Sequence, residues 1–386
     1  MNELFSKSFF RQSTQSLKEK NLYRSLVSSD AVDAVTIRRG RKKFISFCSN
    51  DYFGLSQNPL VKKAAIAAIK KFGVGAGASR YITGNNSLYK KLEKKLAQLK
   101  KCDDAIIFSS GYSCAIGVIP ALVGEGDLIV ADRLIHASLI DGAKLSGARL
   151  MRFQHNDIAH AKKILAENRK KFKKCLIITE AVFSMDGDAG KIEELLELAK
   201  KFNAILVSDD AHELLTKHTE TSSAQAARSM KHENQIHLAT LGKSTGTFGG
   251  YVAGEKNLID YLRNFSRSQI YSTALPPAIL AASLTSLKII KKKNPGKKVL
   301  ENAQYFCELM NLQKPQSAIV PIIIGDNKKV LQIAKEVEKE GLLISAIRPP
   351  TVENGKSRLR ITFSSMHKKS QIKKLAEVLR HIAGLL

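Results

Sequence analysis

The stretch AILVSDDAH, residues 204–212, decides the fold. Ile205, Leu206 and Val207 are apolar without alternation, the pattern of a parallel strand covered by helices on both faces. Asp209 and Asp210 then close the run abruptly. A carboxylate at the end of a buried strand is costly unless a positive group meets it. The strand therefore points to a place where a cation or a ligand is received, with His212 three residues beyond Asp209.

Six further runs share this character: DAIIFSS (104–110), DLIVAD (127–132), ARLMRF (148–153), CLIITE (175–180), IHLATL (236–241) and GGYVAG (249–254). Stretches of helical periodicity separate most of them, which predicts an α/β domain with a mostly parallel seven-stranded sheet over residues 46–285. Residues 1–45 read as an N-terminal helix followed by a hairpin around Gly40, and 286–386 as a smaller α+β domain. The N-terminal segment lacks the uninterrupted apolar core of a signal peptide, so a helix lying across the body is expected.

Of the 386 residues 44% are apolar, which excludes a disordered chain, and no apolar run has the length of a membrane span. Five scattered cysteines without a metal-ligand spacing predict a cytoplasmic protein with neither disulfides nor a structural zinc. The 62 basic against 35 acidic residues give a net charge of +27. A nucleic-acid binder could carry that charge, but the lysine runs lie on helical patterns without interleaved aromatics, so solvated helix faces are the expectation. His155, His160, His218, His232 and His367 have no motif context and read as surface residues, and the cysteines as core fillers.

Two glycine motifs fail on context. Gly73–Ala78 satisfies G-x-G-x-x-A but follows a helix instead of a strand, and His237 occupies the position of the first glycine that Gly242-Lys243-Ser244 would need as a P-loop. The third, Ser109-Ser110-Gly111-Tyr112, joins strand to helix, where free backbone N–H groups favour a phosphate. Ligands of parallel sheets gather at the carboxyl ends of strands, and there stand Ser184, Asp209, His212, Thr240 and Lys243. Asp209 and His212 could be two metal ligands, but no third accompanies them. A phosphate cradle, a buried Asp, a His and a Lys suggest pyridoxal 5'-phosphate, held covalently through the amine of Lys243 and kept protonated at its ring nitrogen by Asp209.

The motifs SNDYFGLS (49–56), GAGASRYITG (75–84), FSSGY (108–112), HASLIDGAKLSGA (136–148), VFSMDGD (182–188), DDAH (209–212), TLGK (240–243) and YSTALPPA (271–278) occur in this order. In these the chain resembles the α-oxoamine synthases, fold-type I pyridoxal-phosphate enzymes, from about residue 20 onward. PIIIGDN (321–327), AIRPPTV (346–352) and RLRITF (358–363) look most like the branch that condenses L-alanine with pimeloyl-CoA or pimeloyl-acyl carrier protein. The resemblance implies that His212 binds the ring's phenolic oxygen and that His136 stacks on the ring and donates a proton. It implies that Ser184 orients the ring, and that Gly111, Tyr112 and Thr240 hold the phosphate together with Ser272 and Thr273 of the other subunit of a homodimer. Arg360 would bind the amino-acid carboxylate, with Arg24, Asn50 and Thr351 among the substrate contacts. Arg358 is expected to support the small domain instead.

The chain departs from the family at Tyr89, where relatives carry His, and at Glu213-Leu214-Leu215, where they carry Gly-x-Gly before a loop that is short and polar here. Two rivals stay open at this level: a sister synthase using glycine and another acyl-CoA, and a non-catalytic basic binding protein or partner subunit.

Overall fold

The computed structural model describes residues 7–214 and 234–383; Leu215, the loop after it, His218 and His232 lie outside them. In chain order the strands are β1 (Asp30–Ala31), β2 (Thr36–Arg39), β3 (Lys42–Ser46), β4 (Asp104–Phe108), β5 (Leu128–Asp132), β6 (Arg149–Phe153) and β7 (Cys175–Glu180). They continue with β8 (Ile205–Asp209), β9 (Gln235–Thr240), β10 (Gly250–Gly254), β11 (Ile319–Gly325), β12 (Leu342–Leu343), β13 (Ser345–Ile347) and β14 (Ser357–Thr362). The helices that matter for the site are α1 (Lys7–Glu19), α2 (Pro59–Phe72), α3 (Ser87–Lys100), α4 (Gly111–Leu122) and α5 (Ala137–Ser146).

The larger unit, residues 50–184 and 188–298, holds a seven-stranded sheet in the order β4-β10-β9-β8-β7-β5-β6. All seven apolar runs form its strands. Neighbours from β9 through β6 are parallel, while β10 is antiparallel to both β4 and β9. Strand alternation divides the core: Ile106, Val207 and Val252 pack on one face with Val118 and Leu139, while Ile107, Ala253 and Leu241 pack on the other with Leu92, Leu96 and Leu280. Helix starts are set locally. Asn58 and Asn86 cap α2 and α3 by accepting the N–H groups of Leu60 and Leu88, and Ser110 caps α4 by accepting that of Ser113.

Register places the reactive ends level. Thr240 of β9 and Phe108 of β4 both pair with Gly250, and Glu180 of β7 pairs with Asp209 of β8. The strand ends that carry the candidate residues therefore share one edge of the sheet.

The second unit comprises residues 1–49, 185–187 and 299–386. It contains a sheet in the order β1-β2-β3-β12 and another in the order β11-β14-β13. The N-terminal hairpin belongs to it because β3 pairs in parallel with β12, Ile45 opposite Leu342. The division drawn from the sequence, 1–45, 46–285 and 286–386, differs in this respect. It differs also at the helix Pro277–Lys293, whose Leu280 and Leu287 are buried in the core of the larger unit.

Arg358 donates to the Met185 carbonyl at 3.3 Å and pairs with Asp186, a supporting role inside this unit. His367 is not a surface residue. It is buried, stacked on Phe47 at 4.2 Å, and burial pushes its pKa down to about 4. Among the described residues no helix is long and apolar enough to cross a membrane.

Candidate active site

The turn after β8 and the turn after β9 bring DDAH and TLGK together. Nζ of Lys243 lies 2.7 Å from Nε2 of His212, whose Nδ1 lies 2.6 Å from the hydroxyl of Tyr52. That hydroxyl is 3.3 Å from Oδ1 of Asn50. Lys243 is held from behind: its carbonyl accepts the N–H of Gly246 at 2.8 Å. Gly246 has φ +63°, and a Cβ there would meet the Ser56 nitrogen at 2.5 Å, so only glycine fits this turn.

Asp209 is buried at the strand end and accepts the Ala211 N–H at 2.9 Å. Burial raises its pKa, against the opposing pull of Lys243 and His136. The adjacent strand ends in Glu180, also buried, whose pKa is raised well above the usual carboxylate range by burial and then by Asp209. Oε2 of Glu180 accepts the N–H of Ser184 at 3.2 Å, while Oε1 has no hydrogen-bond partner. His136 caps α5: its Nδ1 accepts the Ser138 N–H at 3.2 Å, which leaves the ring proton on Nε2. Burial and the charge of Lys243 lower its pKa despite the opposing pull of Asp209.

The phosphate candidates meet at the start of α4. A Cβ on Gly111 would stand 3.4 Å from Cβ of Thr240, a space that a larger residue would fill. Oγ1 of Thr240 donates to the Gly249 carbonyl and accepts the Gly242 N–H, both at 3.0 Å, so this side chain shapes the turn. The hydroxyl of Tyr112 donates to Asp141, which leaves the backbone N–H of Tyr112 as its contribution at the helix start.

These residues fit pyridoxal phosphate on three structural counts. The Lys243 amine is adjacent to an imidazole. Asp209 is a buried acid whose ionisation calls for a cation. The α4 N-terminus beside Thr240 is kept open by Gly111. Among the described residues no cluster of acids, histidines or cysteines could hold a metal.

Ser272 donates to the Ser268 carbonyl at 2.6 Å, and Thr273 forms an antiparallel bridge with Ser79. Tyr89, the departure from His, is buried with its oxygen accepting the Leu275 N–H at 2.6 Å, so it fastens the segment that carries Ser272 and Thr273. Of the substrate candidates, Asn50 is in the larger unit and Arg24, Thr351 and Arg360 are in the other. Arg24 donates to the Thr351 hydroxyl at 3.3 Å. Arg360 is buried in β14, opposite Pro321 of β11 and Ser345 of β13.

Sequence reasoning missed Tyr52, although it stands inside a quoted motif, and it counted Glu180 among the polar strand ends (180–186) without giving it a role. It also misplaced His155. The ring of His155 bridges Asp132 at 3.1 Å and Asp188 at 2.8 Å and meets Phe183 edge-on at 4.4 Å, bracing the VFSMDGD turn beside Ser184. Its signal was Asp132, a second carboxylate ending an apolar strand.

The pattern of aminotransferase class I and II matches residues 42–379. The serine palmitoyltransferase of Sphingomonas wittichii superposes with a TM-score of 0.90 at 24% identity, each chain covered completely. The matched family and the fold together define a pyridoxal-phosphate enzyme of fold type I.

The 8-amino-7-oxononanoate synthase of Geotalea daltonii is 37% identical over 392 residues, 98% of each chain. That of Francisella tularensis superposes with a TM-score of 0.74 at 28% identity over 88% of this chain and 98% of its own. The chain belongs to the 8-amino-7-oxononanoate synthase family, acyltransferases of biotin biosynthesis.

Proposed function

We propose that the chain joins L-alanine to a pimeloyl thioester of coenzyme A or an acyl carrier protein, giving 8-amino-7-oxononanoate, CO2 and the free thiol. The observation that carries this reading is the Lys243–His212 contact of 2.7 Å, at the strand edge that also holds Asp209. When bound, pyridoxal phosphate supplies an electron sink that acidifies the α-C–H of the amino acid joined to it.

The chain's own residues do the rest. Asp209 holds a proton on the ring nitrogen, and His212 orients the phenolic oxygen. The Lys243 amine takes the α-proton, a positioned base close to its target. His136, whose Nδ1 is taken up by the Ser138 N–H, donates from Nε2 toward oxygen or carbon as the carboxylate leaves as CO2 and the thiol departs. Ser184 is held in place by Glu180. Gly111, Tyr112 and Thr240 hold the phosphate, with Ser272 and Thr273 supplied from the second subunit of a homodimer. Arg360 binds the alanine carboxylate as a planar, two-pronged donor, and Arg24, Asn50 and Thr351 are among the substrate contacts.

Product analysis with alanine against glycine, and with pimeloyl against shorter thioesters, tests the assignment. Formation of 8-amino-7-oxononanoate with a marked preference for alanine is expected. Equal or faster turnover with glycine and a short acyl thioester would transfer the chain to a sister activity.

A further inference from the structure

The turn that carries Asp209 and His212 carries two more acids, Asp210 and Glu213, and both contact the same cation. Nζ of Lys100, the last residue of α3, pairs with Oδ2 of Asp210 and with Oε2 of Glu213. The side chains are 7% exposed for Lys100, 5% for Asp210 and 16% for Glu213. Nδ1 of His237, on β9, adds a third contact to Asp210 at 2.8 Å. The ammonium sits at a helix C-terminus, where the helix dipole favours a cation.

Burial opposes ionisation of Asp210, but Lys100 and His237 overcome it and hold the carboxyl well below its ordinary range. The cluster also reaches the lysine turn, because the Ser244 hydroxyl donates to the Glu213 carbonyl at 3.2 Å, one residue from Lys243. A side-chain ion pair thus fastens the turn between Asp209 and the lysine turn.

We infer that Lys100 is a positioning residue for the cofactor: by clamping Asp210 and Glu213 it fixes the turn that presents Asp209 to the ring nitrogen and His212 beside Lys243. Loss of the ammonium removes the cation that Asp210 and Glu213 share, one and four residues beyond Asp209, and a buried pair broken on one side is strongly disfavoured. The inference rests on Asp209 and His212 holding the cofactor as proposed.

The test compares Lys100→Met, Lys100→Arg, Glu213→Gln and Asp209→Ala in the full chain. Pyridoxal phosphate is titrated into each apoprotein, with the absorption of the bound cofactor and the thermal unfolding of the apoprotein read alongside. Lys100→Met is expected to raise the cofactor Kd about tenfold or more and to alter the bound absorption, beyond any change in apoprotein folding. Lys100→Arg keeps the charge and restores Kd to within about threefold of the parent. Glu213→Gln, which keeps the size and polarity of the side chain, gives a smaller rise of the same sign and decides the matter if Lys100→Met does not fold. Parent-like Kd and absorption in Lys100→Met or, where that variant does not fold, in Glu213→Gln overturn the inference. So does an Arg variant as impaired as the Met variant. If Asp209→Ala itself binds cofactor like the parent, it is the cofactor assignment of Asp209 that fails.

Discussion

Nε2 of His212 faces the Lys243 amine at 2.7 Å while its Nδ1 faces the Tyr52 hydroxyl at 2.6 Å. An imidazole gripped at both nitrogens has its orientation and its tautomer set together. Tyr52 is therefore a positioning residue for the group that contacts Lys243, the proposed cofactor lysine. Tyr52→Phe keeps the ring and removes the contact to Nδ1; kcat is expected to fall about tenfold with cofactor binding retained. Steady-state kinetics beside a cofactor titration check this, and an unchanged kcat refutes it.

Asp209 carries a stability cost that its proposed role requires. Its pKa is raised in the folded apoprotein, chiefly by burial, so the folded state holds the proton more tightly than the unfolded chain. The cost is absent below the unfolded carboxyl range and grows as pH rises toward the folded pKa. Asp209→Asn removes it. At neutral pH the Asn apoprotein is expected to melt about 2–4 °C higher than the parent, while turnover falls at least about a hundredfold for want of a ring-nitrogen partner. Calorimetry of the apoproteins and a turnover assay read the two effects separately.

His155 gives a pH dependence of the other sign. Burial alone would lower its pKa, but hydrogen bonds and charge from Asp132 and Asp188 raise it to about 10. The stabilisation is complete below the unfolded histidine pKa of about 6.5 and is lost as pH rises through the folded value. His155→Gln is expected to lower the unfolding midpoint most in acid and neutral solution, by about 1–3 kcal/mol equivalent, with the two proteins converging above the folded pKa. Melting curves across that range decide it; a gap independent of pH contradicts the ion-pair account.

The sheet was legible because burial on both faces writes itself as uninterrupted apolar runs, as in CLIITE and AILVSDD. The antiparallel course of GGYVAG was not, because its composition matches that of its parallel neighbours. The site was legible where a charged or polar residue interrupts a buried strand end, as Asp209 does. Tyr52 gave no such signal: an aromatic in a loop reads as packing, and its partner His212 is 160 residues away. Lys100 was hidden among the lysines of α3, alike in sequence and set apart only by the acids that close over it. The N-terminal hairpin joined the C-terminal strands through a pairing between Ile45 and Leu342, a contact that periodicity cannot reveal.

The central claim is that Lys243 carries the cofactor and acts on alanine. The most direct measurement is the visible absorption of the cofactor-loaded protein before and after addition of L-alanine, in the parent and in Lys243→Ala. The account predicts a long-wavelength band in the parent that shifts on adding alanine, and in Lys243→Ala the loss of that band. The same band and the same alanine-induced shift in Lys243→Ala would contradict it.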